Sequence, residues 1–104
     1  MIEVNLKQYA KMLLDKTVSG EYVWETNGDD KYRLLLGKGT VVLSKIIYGG
    51  ISNYLISFYD TATLIYSGSI DRTNTLYSDY SELYDTIISK NNEKINNSIM
   101  ELFS

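Results

Sequence analysis

The residues that could do chemistry in this chain are carboxylates, lysines, tyrosines, serines and threonines, because it has neither histidine nor cysteine. Without histidine it lacks the commonest general base, the commonest metal ligand and the usual switch near neutral pH. Without cysteine it can have no disulfide, no thiolate nucleophile and no Cys-ligated zinc. Oxygen and amine ligands suit hard cations, so tight transition-metal binding is not expected.

Four stretches place the remaining groups in suggestive patterns. Gly37-Lys38-Gly39-Thr40 echoes the Gly-Lys-x-Thr end of a phosphate-binding loop. A P-loop also needs a glycine four residues before the Gly-Lys pair and a helix after it. Position 32 is Tyr and a β-branched run follows, so a turn between strands is expected. Asn27-Gly28-Asp29-Asp30 offers adjacent carboxylates but not the alternating ligands and distal Glu of a calcium loop. Glu21 with Glu25, or Asp60 with Asp71, could supply the two acids of a glycosidase, but nothing in the sequence sets the separation such chemistry requires. No catalytic residue, cofactor or metal site is expected.

The elements that would position these groups centre on Ser52–Ser69, SNYLISFYDTATLIYSGS. Alternation puts Tyr54, Ile56 and Phe58 on one face and Leu55, Ser57 and Tyr59 on the other. Asp60-Thr61-Ala62 then turns the chain, after which Leu64 and Tyr66 share one face and Ile65 and Ser67 the other. β-branched and aromatic residues fit a pleated surface, so the stretch predicts a β-hairpin. A lone hairpin is marginal in water and needs more strands or a helix on its face.

Asn5 with Gln8 forms a capping-box start, and Leu6, Tyr9, Ala10, Leu13, Leu14 and Thr17 follow helical spacing up to Gly20, a candidate C-cap. Strands are expected at Glu21–Thr26, Lys31–Leu36 and Thr40–Tyr48, separated by Asn-Gly and glycine turns. Trp24, directly after the first helix, is expected to anchor the core. From Leu76 the period is helical again, through Tyr80, Leu83, Tyr84, Ile87 and Ile88 to Ile95, Ile99 and Leu102. A continuous helix from Ser78 to Phe103 would measure about 39 Å, against a radius of gyration of about 13 Å for a domain of this length. The apolar gap at Lys90-Asn91-Asn92-Glu93-Lys94 favours a bend or break near Asn91-Asn92. Together these features predict one α+β domain over residues 1–104. It would be a five-stranded, mostly antiparallel meander with an N-terminal helix and a long or broken C-terminal helix packed on it.

The ten tyrosines are too many for one core face. Tyr9, Tyr32, Tyr80 and Tyr84 fall on apolar stripes, whereas Tyr48, Tyr54, Tyr59, Tyr66 and Tyr77 cannot all be buried together. Tyrosine is enriched at protein interfaces. In YSDYSELYD, the acids Asp79, Glu82 and Asp85 line one helical edge beside Tyr77 and Tyr84. These five residues are the candidate partner-binding site, suited to a basic protein. The plainer reading is that acids in the first helical turns complement the helix dipole and solvate the outer face.

Residues 1–50 carry seven basic and six acidic groups, and residues 51–104 carry three and seven, for a net charge of −3. That balance argues against direct nucleic-acid binding, which needs clustered Lys and Arg. The opening MIEVNLKQYAK has no apolar h-region, and no run approaches membrane-spanning length. The expectation is a protein of the bacterial cytoplasm, not bound to membranes.

The segment Leu13–Glu25, LLDKTVSGEYVWE, runs from a helix into a Gly-x-x-x-Trp strand at Gly20–Trp24. With the tyrosine-rich meander and the YSELYDTI helix, it resembles a loose group of small uncharacterised proteins of Gram-positive bacteria and their phages. The resemblance implies a phage or mobile-element accessory protein and brings no catalytic residues with it. The expected function is a small protein-binding module inhibiting a bacterial defence or host protein. An immunity protein of a toxin pair, a structural homodimer formed through a sheet edge or the last helix, and a small carboxylate-based hydrolase are the alternatives.

Overall fold

The structure, a computed structural model, describes residues 4–104. Helix α1 spans Leu6–Val18. The Asn5 side-chain oxygen accepts from the Gln8 amide at 3.4 Å, and its amide donates to Gln8 Oε1 at 2.7 Å. Asn5 thus caps the helix as the sequence predicts, but Gln8 Oε1 accepts from the Asn5 side chain and not from its backbone N–H as a full capping box would. Ala10, Leu13 and Thr17 are buried, while Tyr9 stays at the rim, its ring edge against Phe58. Gly20, at a φ of 84°, turns the chain away from the helix end.

The expected strand Glu21–Thr26 shrinks to Glu25–Thr26, which is β1. The reason lies in α1. The Tyr22 amide donates to the Lys16 carbonyl at 3.0 Å, and the Trp24 indole donates to Thr17 Oγ1 at 2.9 Å. Residues 21–24 are thus fastened along the helix, and their backbone is not free to join the sheet.

β2 (Lys31–Leu35), β3 (Gly39–Tyr48), β4 (Ile51–Asp60) and β5 (Thr63–Ile70) follow in a continuous antiparallel meander, in the order β1-β2-β3-β4-β5. The tight connections take positive φ at Gly28 and Asp30 and at Gly49 and Gly50, which accept it readily, and at Thr61, where a β-branched residue adopts it against its preference. The register breaks at Phe58/Tyr59, where β5 carries a bulge. Tyr66 lies opposite Phe58, yet Leu64 lies opposite Tyr59. Directly opposed residues share a face, so the bulge puts Leu64 and Tyr66 on different faces. Simple alternation had placed them on the same one.

Helix α2 runs unbroken over Tyr77–Glu101. The bend expected at Asn91-Asn92 is absent. Asn91 does not interrupt the helix, because its side chain faces inward and donates to the Trp24 carbonyl at 3.4 Å. The helix is about 37 Å long, and from Asn92 onward every residue is exposed. The longest dimension of the molecule is 56 Å.

Both helices lie on one face of the sheet. Leu34, Val41, Leu43, Tyr54, Ile56 and Ile70 from the strands meet Ala10 and Leu13 from α1, and Tyr80, Leu83, Tyr84 and Ile87 from α2. The helices are tied together where the Tyr80 hydroxyl donates to the Leu6 carbonyl at 2.7 Å. No helix among the described residues is long and apolar enough to cross a membrane.

Candidate functional site

The structure separates the five residues proposed as one surface. Tyr84 is 1% exposed and belongs to the core. Its ring packs at 5.7 Å from that of Tyr32 and 5.5 Å from that of Tyr54. Its hydroxyl donates to Asp30 Oδ1 at 3.3 Å. Burial, and then the Asp30 charge, push the Tyr84 phenol above its ordinary value. Burial does the same to Tyr80, helped by Asp79. Tyr77 is half-buried, its ring 5.2 Å from that of Tyr54 between centroids and tilted by 51°. Only Glu82 and Asp85 are fully exposed, with Asp79 half-buried in the first turn of α2. Asp79 Oδ2 has no hydrogen-bond partner among the described residues, and its place near the helix N-terminus suits a negative charge. The aromatic half of the expected surface is therefore used inside the protein.

The other suggestive stretches are occupied with structure. Gly37-Lys38-Gly39-Thr40 is the β2–β3 turn, closed by mutual backbone bonds between Leu36 and Gly39 at 2.8 and 3.3 Å. In Asn27-Gly28-Asp29-Asp30 the Asp30 carbonyl accepts from the Lys45 amide at 2.8 Å. Glu21 pairs with Lys16 at 2.9 Å, which raises the lysine pKa, and Glu25 pairs with Arg33 at 3.2 Å. Asp71 accepts from the Thr73 hydroxyl and amide, which lowers its pKa. Each of these three acids is tied to its own local partner, on separate elements. Among the described residues no three His, Cys, Asp or Glu side chains cluster as metal ligands would.

The sheet face away from the helices is the surface that sequence reasoning did not single out. Across it run Leu35, Thr40, Tyr59 and Leu64, each opposite the next on four successive strands. The neighbouring row is Arg33, Val42, Ser57 and Ser67, and the next is Lys31, Ser44, Leu55 and Ser69. Beyond them Ile46 lies opposite Asn53, and Tyr48 opposite Ile51. Charge is confined to the β1–β2 side, where Arg33 is already paired with Glu25. The Ser57 and Ser67 hydroxyls bond each other at 3.0 Å, with Ser57 buried and Ser67 exposed. Asn53 Oδ1 is buried with no partner among the described residues.

An antiparallel sheet with one solvated face ordinarily alternates apolar inward with polar outward. Here the outward face is mixed, with apolar side chains set among Thr40, Lys31, Arg33, Ser44, Ser57, Ser67 and Ser69. Leu35 is 55% exposed, Ile46 45% and Leu64 52%, with Val42, Leu55 and Tyr59 half-buried beside them. The signal in the sequence was present as Leu35, Val42, Leu55 and Tyr59 at outward positions. It was hidden because alternation alone does not say which face the helices cover. Compared with known protein families, with characterised proteins and with solved structures, the chain has no match.

Proposed function

We propose that the protein is a protein-binding module that docks through the open face of its sheet. The observation carrying this is that face itself, where Leu35, Val42, Leu55, Tyr59, Leu64 and Ile46 stand among short polar side chains with no described element packed on them. Contiguous exposed apolar surface on a small domain marks an interaction site more often than a solvent boundary. A flat face of this kind suits a macromolecular partner, since small-molecule sites are concave.

The fuller version of this reading is an accessory protein of phage or mobile-element type that inhibits a bacterial defence or host protein by masking a surface. It rests on the resemblance of Leu13–Glu25 and on the protein's small size. The open face is neutral at its centre, so its partner need not be basic. An acidic α2 edge at Glu82 and Asp85 would serve as steering charge, affecting association rate and its salt dependence more than the lifetime of the complex.

The test compares immobilised wild type with Leu35→Asp/Leu64→Asp, and separately with Glu82→Gln/Asp85→Asn, as bait in bacterial lysate. Both variants should keep the wild-type circular dichroism. A bound protein lost with the first variant and retained with the second supports the reading. Equal capture by all three removes the open face from the function.

A further inference from the structure

We propose that two copies of this chain join antiparallel along β5, across a two-fold axis at Gly68, into one continuous sheet. The surface involved is the edge of the sheet and is distinct from its open face. The two edges of the meander differ. β1 is two residues long and carries Glu25, whereas β5 presents eight residues, TLIYSGSI, with no charge and no proline. Short length, charge and proline are among the devices that keep the edges of monomeric sheets from pairing, and β5 has none of the three.

The ladder sets what this edge offers. Gly39 exchanges backbone bonds with Leu36, and the Lys45 amide donates to the Asp30 carbonyl, so the backbone groups of odd-numbered β3 residues face β2. Bonding direction alternates along an antiparallel strand. Thr40, Val42 and Ser44 therefore bond Tyr59, Ser57 and Leu55 of β4, which leaves Tyr54, Ile56 and Phe58 to bond Ile70, Gly68 and Tyr66 of β5. The N–H and C=O of Ser67 and Ser69 point away from β4, and no described group bonds them. The hydroxyl bond between Ser57 and Ser67 fits this, because side chains come closest at pairs that exchange no backbone bonds.

Donors and acceptors in that row are complementary to another extended backbone, and the same strand reversed is one. Turned about Gly68, Ser67 lies opposite Ser69 of the second copy and Ser69 opposite its Ser67, each pair exchanging two backbone bonds. The bulge at Ile65 confines this regular pairing to Tyr66–Ile70. On the helix side each Tyr66 ring lies over its own Gly68, where a Cβ would come within 2.9 Å of it. The two half-buried rings therefore meet across the axis and add apolar contact. On the other side the paired residues are small, neutral serines, so two acidic chains meet without a charge or bulk between them. The arrangement is self-complementary, as a closed dimer requires.

Sedimentation equilibrium of the whole protein, from micromolar to submillimolar concentration, tests this. Wild type is expected to dimerise, with the Ser67 and Ser69 amides gaining protection from hydrogen exchange as concentration rises. Ser69→Pro removes an outward N–H without touching the bonds to β4 and should remain monomeric. Ser67→Lys/Ser69→Lys sets like charges opposite each other across the axis and should remain monomeric as well. Ser67→Lys/Ser69→Glu sets Lys opposite Glu in the same register and should dimerise again. Circular dichroism checks that each variant folds, and the two charge variants decide the matter if Ser69→Pro does not. Leu35→Asp, on the open face, should dimerise like wild type, which keeps this result separate from the fate of that face. A wild type monomeric throughout, a dimer that survives a folded blocking variant, a Lys/Glu variant that stays monomeric, or a dimer lost with Leu35→Asp would each overturn the proposal.

Discussion

The Trp24 indole nitrogen donates a buried hydrogen bond of 2.9 Å to Thr17 Oγ1, and that hydroxyl in turn donates to the Leu13 carbonyl at 2.6 Å. This relay joins the end of α1 to the start of the sheet and pins the only tryptophan in the chain. Trp24 is 4% exposed. Trp24→Ala should cost roughly 3–5 kcal/mol, the range for removing a large core side chain. Thr17→Val keeps the shape but leaves the indole N–H unpaired, at a cost of about 1–3 kcal/mol. Urea denaturation followed by circular dichroism measures both, and a Thr17→Val variant as stable as wild type would refute the relay.

Alkaline pH should unfold the protein through Tyr80 and Tyr84. Both phenols are raised above the ordinary value of 10.0 by burial, so the folded state holds their protons more tightly than the unfolded chain does. Their contribution is fully present below pH 10 and is lost as pH rises beyond it, because the unfolded tyrosines ionise first. The denaturation midpoint should therefore fall steeply above pH 10. The slope should be shallower in Tyr80→Phe/Tyr84→Phe, even though that variant is less stable at neutral pH through its lost bonds to Leu6 and Asp30.

The two glycines of the β2–β3 turn should respond oppositely to alanine. A Cβ at Gly39 would overlap the Tyr59 carbonyl oxygen of the neighbouring strand, and backbone cannot yield as a flexible side chain would. Gly39→Ala should destabilise by about 1–3 kcal/mol. At Gly37 a Cβ meets nothing and φ is not positive, so alanine should be neutral or stabilise by about 0.4–1 kcal/mol. Thermal melts of the two variants should move in different directions.

Tyr77 and its acidic neighbours should separate in a stability assay. Tyr77→Ala removes a ring packed at a tilt against Tyr54 and should cost about 2–3 kcal/mol. Glu82→Gln/Asp85→Asn changes exposed groups and should stay within about 0.5 kcal/mol of wild type. Equal melting temperatures for the two variants would show that the Tyr77 ring is not packed as described.

Local chemistry was enough to read the elements. The Asn5/Gln8 cap, the α1 stripe, the glycine and Asn-Gly turns and the meander order follow from short-range spacing, and the structure has all of them. Trp24 as a core anchor was also legible, since it follows a helix whose stripe ends at Thr17. What contacts decide between distant segments was not legible. Residues 21–24 have strand-like composition, but bonds from Tyr22 and Trp24 back to α1 keep them out of the sheet. A bulge at Phe58/Tyr59 moves Leu64 to the open face, because inserting one residue reverses every side chain beyond it. The apolar gap from Lys90 to Lys94 reads as a break, yet the helix runs through it and the Asn91 side chain donates to the Trp24 carbonyl. The same holds for the site. Alternation identified two faces of one hairpin, but only packing determines which face α1 and α2 cover, and so which face is left open.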